Sequence, residues 1–370
     1  LCRKNPPLIL KSETNMVNTS SFYDRLESTI CRDDAGRGLC NPPIPLCPGD
    51  LQNAAQSLAR CPDLAVAITT GFFIPHATPP AAETDGITGA LFLAHAISES
   101  GGDFRILSDH HALSPIRIGL DYLGLPSENI HEIPFLDQTG TSPHNADSQQ
   151  AAFQTDWSHT FLNQDFGQRM THLVAVERVG PSHTPVSVEK QLPGDTDALT
   201  KFLSLVPHKD QNQCHNMKGH NITEHTAPAH VLFEIAQQQP RSVTTIGIGD
   251  GGNEIGMGKI PWQELSERIS GENVARIVCR IATDFLIVAG TSNWGAYALG
   301  MGLLAECSKF QSLHSWDGNY DQKLLETVVC DGPAVDGVTG LQQATVDSLP
   351  FNSYFAPIES LRKQTLALNA

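Results

Sequence analysis

The chain has 370 residues, 40% hydrophobic and 17% charged, which is enough apolar material for two lobes or one large α/β unit. Its formal net charge is −16 and its lysines and arginines are scattered, which argues against nucleic acid or an anionic membrane as a partner. No run of about 18 apolar residues occurs, so no segment reads as a membrane-spanning helix.

In chain order, residues 1–50 are rich in proline, cysteine and charge and close on "CNPPIPLCPGD", a composition that reads as a linker or an N-terminal arm. Five of the nine cysteines fall by Cys61, and no C-x-x-C pair occurs. Free thiols are the expectation, with one local bridge or zinc site left open. From residue 51 to 350 short apolar runs alternate with helical patterns. "DLAVAITT" (63–70), "DFRILSD" (103–109), "HLVAVERVG" (172–180), "VTTIGIG" (243–249) and "DFLIVAG" (284–290) read as strands. "ITGALFLAHAISES", "SPIRIGLDYLGL", "APAHVLFEIAQQQ" and "NWGAYALGMGLLAEC" read as the helices between and after them. The alternation predicts an α/β fold with a mostly parallel, doubly wound, Rossmann-like sheet covered by helices on both faces. Segments 137–165 and 181–225 break the rhythm and are expected to build a lid or a smaller second lobe. Residues 351–370 read as a C-terminal helix.

In such sheets ligands bind beyond the carboxyl ends of the strands. Four strand ends here carry unusual chemistry. Thr70 and Gly71 are followed by Glu83 and Asp85 at a helix start, where free N–H groups suit an anion, or where the acid simply caps the helix. Arg178, directly after a strand, offers either a structural ion pair or a fork for a substrate carboxylate. Gly249, Asp250, Gly251, Gly252, Asn253, Glu254 and Lys259 lie in "GIGDGGNEIGMGK". That stretch formally satisfies G-x-G-x-x-G, but it adds further glycines and a proline instead of entering a helix, so it reads as a small-anion loop and not a dinucleotide fingerprint. Thr291, Ser292 and Asn293 precede the last strongly apolar helix and act either as caps or as substrate contacts. Lys218, Asp336 and Thr339 are further polar candidates. The histidines show no H-E-x-x-H or H-x-H spacing, so zinc is not indicated. A hard divalent cation, Mg²⁺ or Mn²⁺, remains open, with Asp250, Glu254 and Asp284 as its ligands.

The set "TTGFFIP…PPAAETDGITGA", "AVERVG", "ITEHTAP", "IGIGDGGNEIGMGK" and "AGTSNWGAYAL" resembles the C-terminal domain of the D-glutamate cyclase family. The resemblance implies conversion of D-glutamate to 5-oxo-D-proline and water in the mitochondrial matrix. It also implies a hydro-lyase-like N-terminal domain on the same precursor. Ring closure needs a neutral amine and a protonated leaving oxygen, hence a general base and a general acid. Asp250 and Glu254 are assigned to these two roles in either order. Arg178 is expected to hold the α-carboxylate, and Lys218 or Lys259 to be the cationic helper. Asn253, Thr70 and Thr291 would orient the substrate. No cofactor is expected to be required. A homo-oligomer is left open, and so are a metal-dependent enzyme for a phosphorylated or nucleotide ligand and a non-catalytic binding or assembly domain.

Overall fold

The computed structural model describes residues 13–135, 143–238 and 243–369. Six parallel strands form the central sheet: β1 (Ala65–Thr70), β4 (Asp103–Ser108), β5 (Ile130–Glu132), β6 (His172–Val176), β7 (Thr244–Gly249) and β8 (Phe285–Val288). Their spatial order is β5-β4-β1-β6-β7-β8, while β2 (Phe73–Ile74) and β3 (Ala81–Ala82) make a separate small hairpin. The chain leaves β1 toward β4 and β5 on one side and resumes at β6 on the other. The order therefore reverses between β1 and β6, as in the doubly wound α/β sheets that the alternation predicted.

Alternate residues of each strand face opposite sides of the sheet. Val66 and Ile68 of β1 enter one hydrophobic core with Val174 and Val176 of β6. Ala65, Ala67, Leu173 and Ala175 enter the other. Both faces are dry, which is why these strands read as unbroken apolar runs. The first core is crossed by helices Ile87–Glu99 and Ser292–Glu306, buried nearly all round. They meet closely because Gly89 has no side chain: a Cβ there would lie 2.8 Å from the Cα of Asn293.

The first 50 residues are not only a linker. Helix Glu13–Ile30 places Phe22, Tyr23, Leu26 and Ile30 in the first core. Their spacing is that of one helical face, obscured in the sequence by the proline-rich stretch that follows. Segment 181–225 folds into helices Pro185–Gln191 and Thr196–Leu205 and a loop that reaches the sheet's carboxyl edge. Of segment 137–165, residues 137–142 lie outside the described residues. Helix Pro143–Asn163 follows, and its Phe161 and Leu162 join the second core. The last helix, Phe351–Leu366, packs Tyr354, Ile358 and Leu361 into the first core. Among the described residues no helix is long and apolar enough to cross a membrane. The cysteines there are free thiols, and Cys2 lies outside them.

Candidate active site

A cavity of about 520 Å³ opens at the carboxyl ends of the strands, with Arg37, His76, Glu83, Glu177, Lys218 and Asp347 in its wall. It sits where the strand order reverses, the position at which open α/β sheets bind ligands. Glu83, Glu177 and Asp347 are its acidic lining, and Asp85 and Asp250 lie buried next to Glu177. Glu177 follows β6 with a left-handed backbone, φ 46°, which turns the chain sharply as it leaves the sheet. Gly86 makes room for that turn, since a Cβ there would lie 2.5 Å from the Cβ of Glu177. The Ser292 hydroxyl donates to Glu177 Oε2 at 2.5 Å. Asp85 accepts the backbone N–H groups of Ser292 and Asn293, each at 2.9 Å, and so binds the start of helix Ser292–Glu306.

Asp250 follows β7, and one oxygen each of Asp85, Glu177 and Asp250 lies within 4.8 Å of the others. Two ligands of one cation held at about 2.0–2.6 Å are at most about 4–5 Å apart, so these three are spaced to share Mg²⁺, Mn²⁺ or Ca²⁺ after at most a small adjustment. All three are buried, and Asp250 Oδ1 has no hydrogen-bond partner. Burial is the main reason that Glu83, Glu177 and Asp250 are pushed well above the usual carboxylate range and Asp85 up to about 6. Neighbouring carboxylates push in the same direction, while the Arg37 guanidinium pulls all four back. Arg37 donates through Nη1 to Asp250, and makes two bonds to Asp347 at 3.0 and 2.7 Å.

Several residues singled out in the sequence take other places. Arg178 is fully buried and donates to both oxygens of Asp109 at 2.8 and 2.6 Å, and to the carbonyls of Gly71 and Ala227. The fork expected for a substrate carboxylate is thus filled by a structural partner. The glycine loop closes on itself as well. The N–H groups of Asp250 and Gly251 donate to Glu254 Oε1 at 3.1 and 2.7 Å, and that of Gly252 to Oε2 at 2.8 Å. Those amides hold the loop's own glutamate where a substrate anion was expected, and both oxygens of Glu254 are engaged. Gly249 is needed because a Cβ there would meet the Glu254 carboxylate at 2.8 Å.

Lys259 donates to Asp50 and to the Asp284 carbonyl, while Asp284 accepts from the N–H and hydroxyl of Thr245. Asp284 and Thr245 mark the amino ends of β8 and β7, about 16 Å along the strands from Asp250. Neither Lys259 nor Asp284 reaches the cavity floor, so the expected cation ligands Asp250, Glu254 and Asp284 are not brought together. Asn253 donates to the His215 carbonyl and Thr291 caps Trp294 N–H. Asn293 donates to the Thr84 carbonyl and accepts from Gly89 N–H. The Thr70 carbonyl accepts from Ser108 Oγ, and its own hydroxyl is buried without a partner. Asp336 accepts from Val338, Thr339, Thr345 and Ser348, ordering the segment that delivers Asp347. Lys218 does line the cavity.

Sequence reasoning missed Arg37, Asp347 and Asp109. Arg37 sits in the segment read as a linker, and Asp347 in a loop without a flanking strand. The only local signal for Arg37 is its flanking glycines, Gly36 and Gly38.

These features define an α/β protein with a polar cavity at the reversal point of its sheet, lined by carboxylates and a guanidinium. The family described as D-glutamate cyclase-like, C-terminal, matches residues 26–187 and 206–362, and the chain belongs to that family. A human relative named D-glutamate cyclase, mitochondrial, is 28% identical over 375 residues, covering 95% of this chain and 53% of the relative. The chain therefore spans about half the length of that curated relative.

Proposed function

We propose that this chain cyclises D-glutamate to 5-oxo-D-proline and water in the carboxylate-floored cavity. The observation that carries the reading is the buried trio Asp85, Glu177 and Asp250, in a chain that belongs to a cyclase-like family. In the reaction the α-nitrogen forms a bond to the γ-carboxyl carbon and one γ-oxygen leaves as water. The ammonium must give up protons and the leaving oxygen must gain them. Carboxyl groups held at different proton affinities suit that exchange.

Asp250, whose carboxylate meets the Arg37 guanidinium directly while Glu177 does not, is the proposed base that takes a proton from the ammonium. Glu177, kept protonated by burial and by its acidic neighbours, is the proposed acid. The acidic floor attracts the ammonium, and Lys218 with His76 on the cavity wall receives the carboxylates. A bound divalent cation would add stabilisation of the tetrahedral oxyanion; the proposal does not require one. Glu254 becomes a support for the loop, and Arg178 a support for the wall.

The relative's name supports a mitochondrial setting and its greater length a further module on the same polypeptide; the matrix and a hydro-lyase-like character for that module are our proposals. The test is incubation of the chain with D- and L-glutamate and quantification of 5-oxoproline. Asp250→Asn and Glu177→Gln should each lower turnover of D-glutamate by about 100-fold or more. A folded chain that forms no product refutes the reading and favours a binding or assembly role within the longer protein.

A further inference from the structure

We propose that Arg37 is the resident counter-cation of the carboxylate cluster and competes with a divalent metal ion for it. The inference concerns cation binding and stands independently of the chemistry proposed above. Three observations carry it. First, Asp85, Glu177 and Asp250 present oxygens at metal-ligand spacing. Second, Asp250 Oδ1 is buried and receives no N–H or hydroxyl donor among the described residues, its nearest polar company being the Asp85 carboxyl group. Third, the guanidinium that touches Asp250 is held by a different residue. Asp347 takes both Nη atoms of Arg37, whereas Asp250 shares only Nη1.

The loop backbone is fixed independently of the side chain. The Ser270 N–H donates to the Arg37 carbonyl at 2.8 Å, and the Gly38 N–H donates to Asp33 Oδ1 at 3.0 Å. The Arg37 side chain is 16% exposed on the cavity wall, so it can pivot on Asp347 without disturbing the core. A divalent ion placed among the three oxygens would stand beside this guanidinium, and like charges at such separation repel strongly even with partial solvent screening. Cation entry therefore requires Arg37 to turn away from Asp250. The displaced guanidinium then faces the cavity, where it can meet a ligand carboxylate.

The experiment is Mn²⁺ titration of the whole chain by calorimetry and by electron paramagnetic resonance. Arg37→Ala and Arg37→Met, the second keeping the apolar stem, should bind one Mn²⁺ at least about tenfold tighter than wild type. Arg37→Lys, which keeps the charge, should stay near wild type. Adding Asp85→Asn to Arg37→Met should abolish the gain. Equal affinity in wild type and both charge-removing variants overturns the proposal, as does a gain that survives Asp85→Asn. A charge-removing variant that folds only when Mn²⁺ is present supports it, and one that stays unfolded with Mn²⁺ counts against it. Because the readout is cation binding, a chain without cyclase activity leaves the outcome unaffected.

Discussion

Replacing Arg178 by Met separates a structural arginine from a substrate anchor. The side chain is fully buried, and its partner Asp109 is 6% exposed. Four contacts would be lost: two to the Asp109 carboxylate and one each to the Gly71 and Ala227 carbonyls. Removing one member of a buried ion pair leaves the other charge uncompensated and costs about 3–5 kcal/mol. The orphaned carbonyls would add about 1 kcal/mol each if the contributions were additive, but groups sharing one network are not. About 4 kcal/mol is therefore the expected loss, a large part of the 5–15 kcal/mol typical of a folded domain. Urea unfolding followed by circular dichroism measures it. Asp109→Asn should be similarly costly, and the double variant Arg178→Met/Asp109→Leu should be milder than the sum of the two singles. A cycle of these variants isolates the pair. An Arg178→Met protein with wild-type stability, but with weakened binding of a dicarboxylic amino acid, would refute the structural assignment and restore the anchor.

Glu254→Gln tests the glycine loop in the same manner. Its carboxylate accepts three loop amides, and the amide substitute can offer only one oxygen. A loss of about 3 kcal/mol is expected, together with faster hydrogen exchange at Gly251 and Gly252; unchanged stability with lost turnover would return Glu254 to proton transfer. For pH dependence, burial holds His172 down to about 4 against an ordinary 6.5. The folded state keeps this ring neutral while the unfolded chain protonates it, so its contribution to stability is intact above pH 6.5 and is lost as pH falls toward 4. Between pH 6.5 and about 4.5 that loss is roughly 2.5 kcal/mol. His172→Gln should flatten the stability curve over this window, and wild-type and variant curves that run parallel would sink the argument.

How much of this was legible follows from how local each signal is. Strands β1, β6, β7 and β8 were readable because burial on both faces writes a largely apolar run into each, and β4 because Phe104, Ile106 and Leu107 keep a buried face between Asp103 and Arg105. The three-residue β5 is half-exposed at the sheet edge and leaves no such run. Asp85 and Asp250 were readable as candidates because each adjoins an apolar segment, whereas Glu177, which follows β6 in the same way, was passed over for its neighbour Arg178. Their division of labour was not readable. Arg178 and Arg37 are chemically alike in sequence, yet one faces Asp109 in the core and the other the cavity. Arg37 meets Asp250 across 213 residues and Asp347 across 310, so no window of sequence contains the contact. The glycine loop misled for a related reason. Exposed amides invite an anion, but the anion that fills them lies only two to four residues farther along the same loop.

Two buried arrangements show which acids the fold can account for and which it cannot. Asp109 has a cation of its own in Arg178 and receives the Ala227 N–H besides, so the upward push of burial is largely offset within the structure. The cavity acids have no such match. Glu83, Asp85, Glu177 and Asp250 all feel the guanidinium of Arg37, which is itself divided between Asp250 and Asp347. Backbone strain collects at the same place: Glu177, Asp347 and Ser348 have φ of 46°, 51° and 61°, in the region that non-glycine residues avoid. Apolar residues of similar size would fill these positions without the repulsion. Local rules of charge pairing and backbone conformation fail together here, at the point of the sheet where the strand order reverses, whereas the Arg178–Asp109 pair shows that the same fold can bury a carboxylate with a dedicated counter-charge. Stability therefore does not explain the cluster, which is where we propose that a positively charged ligand group binds.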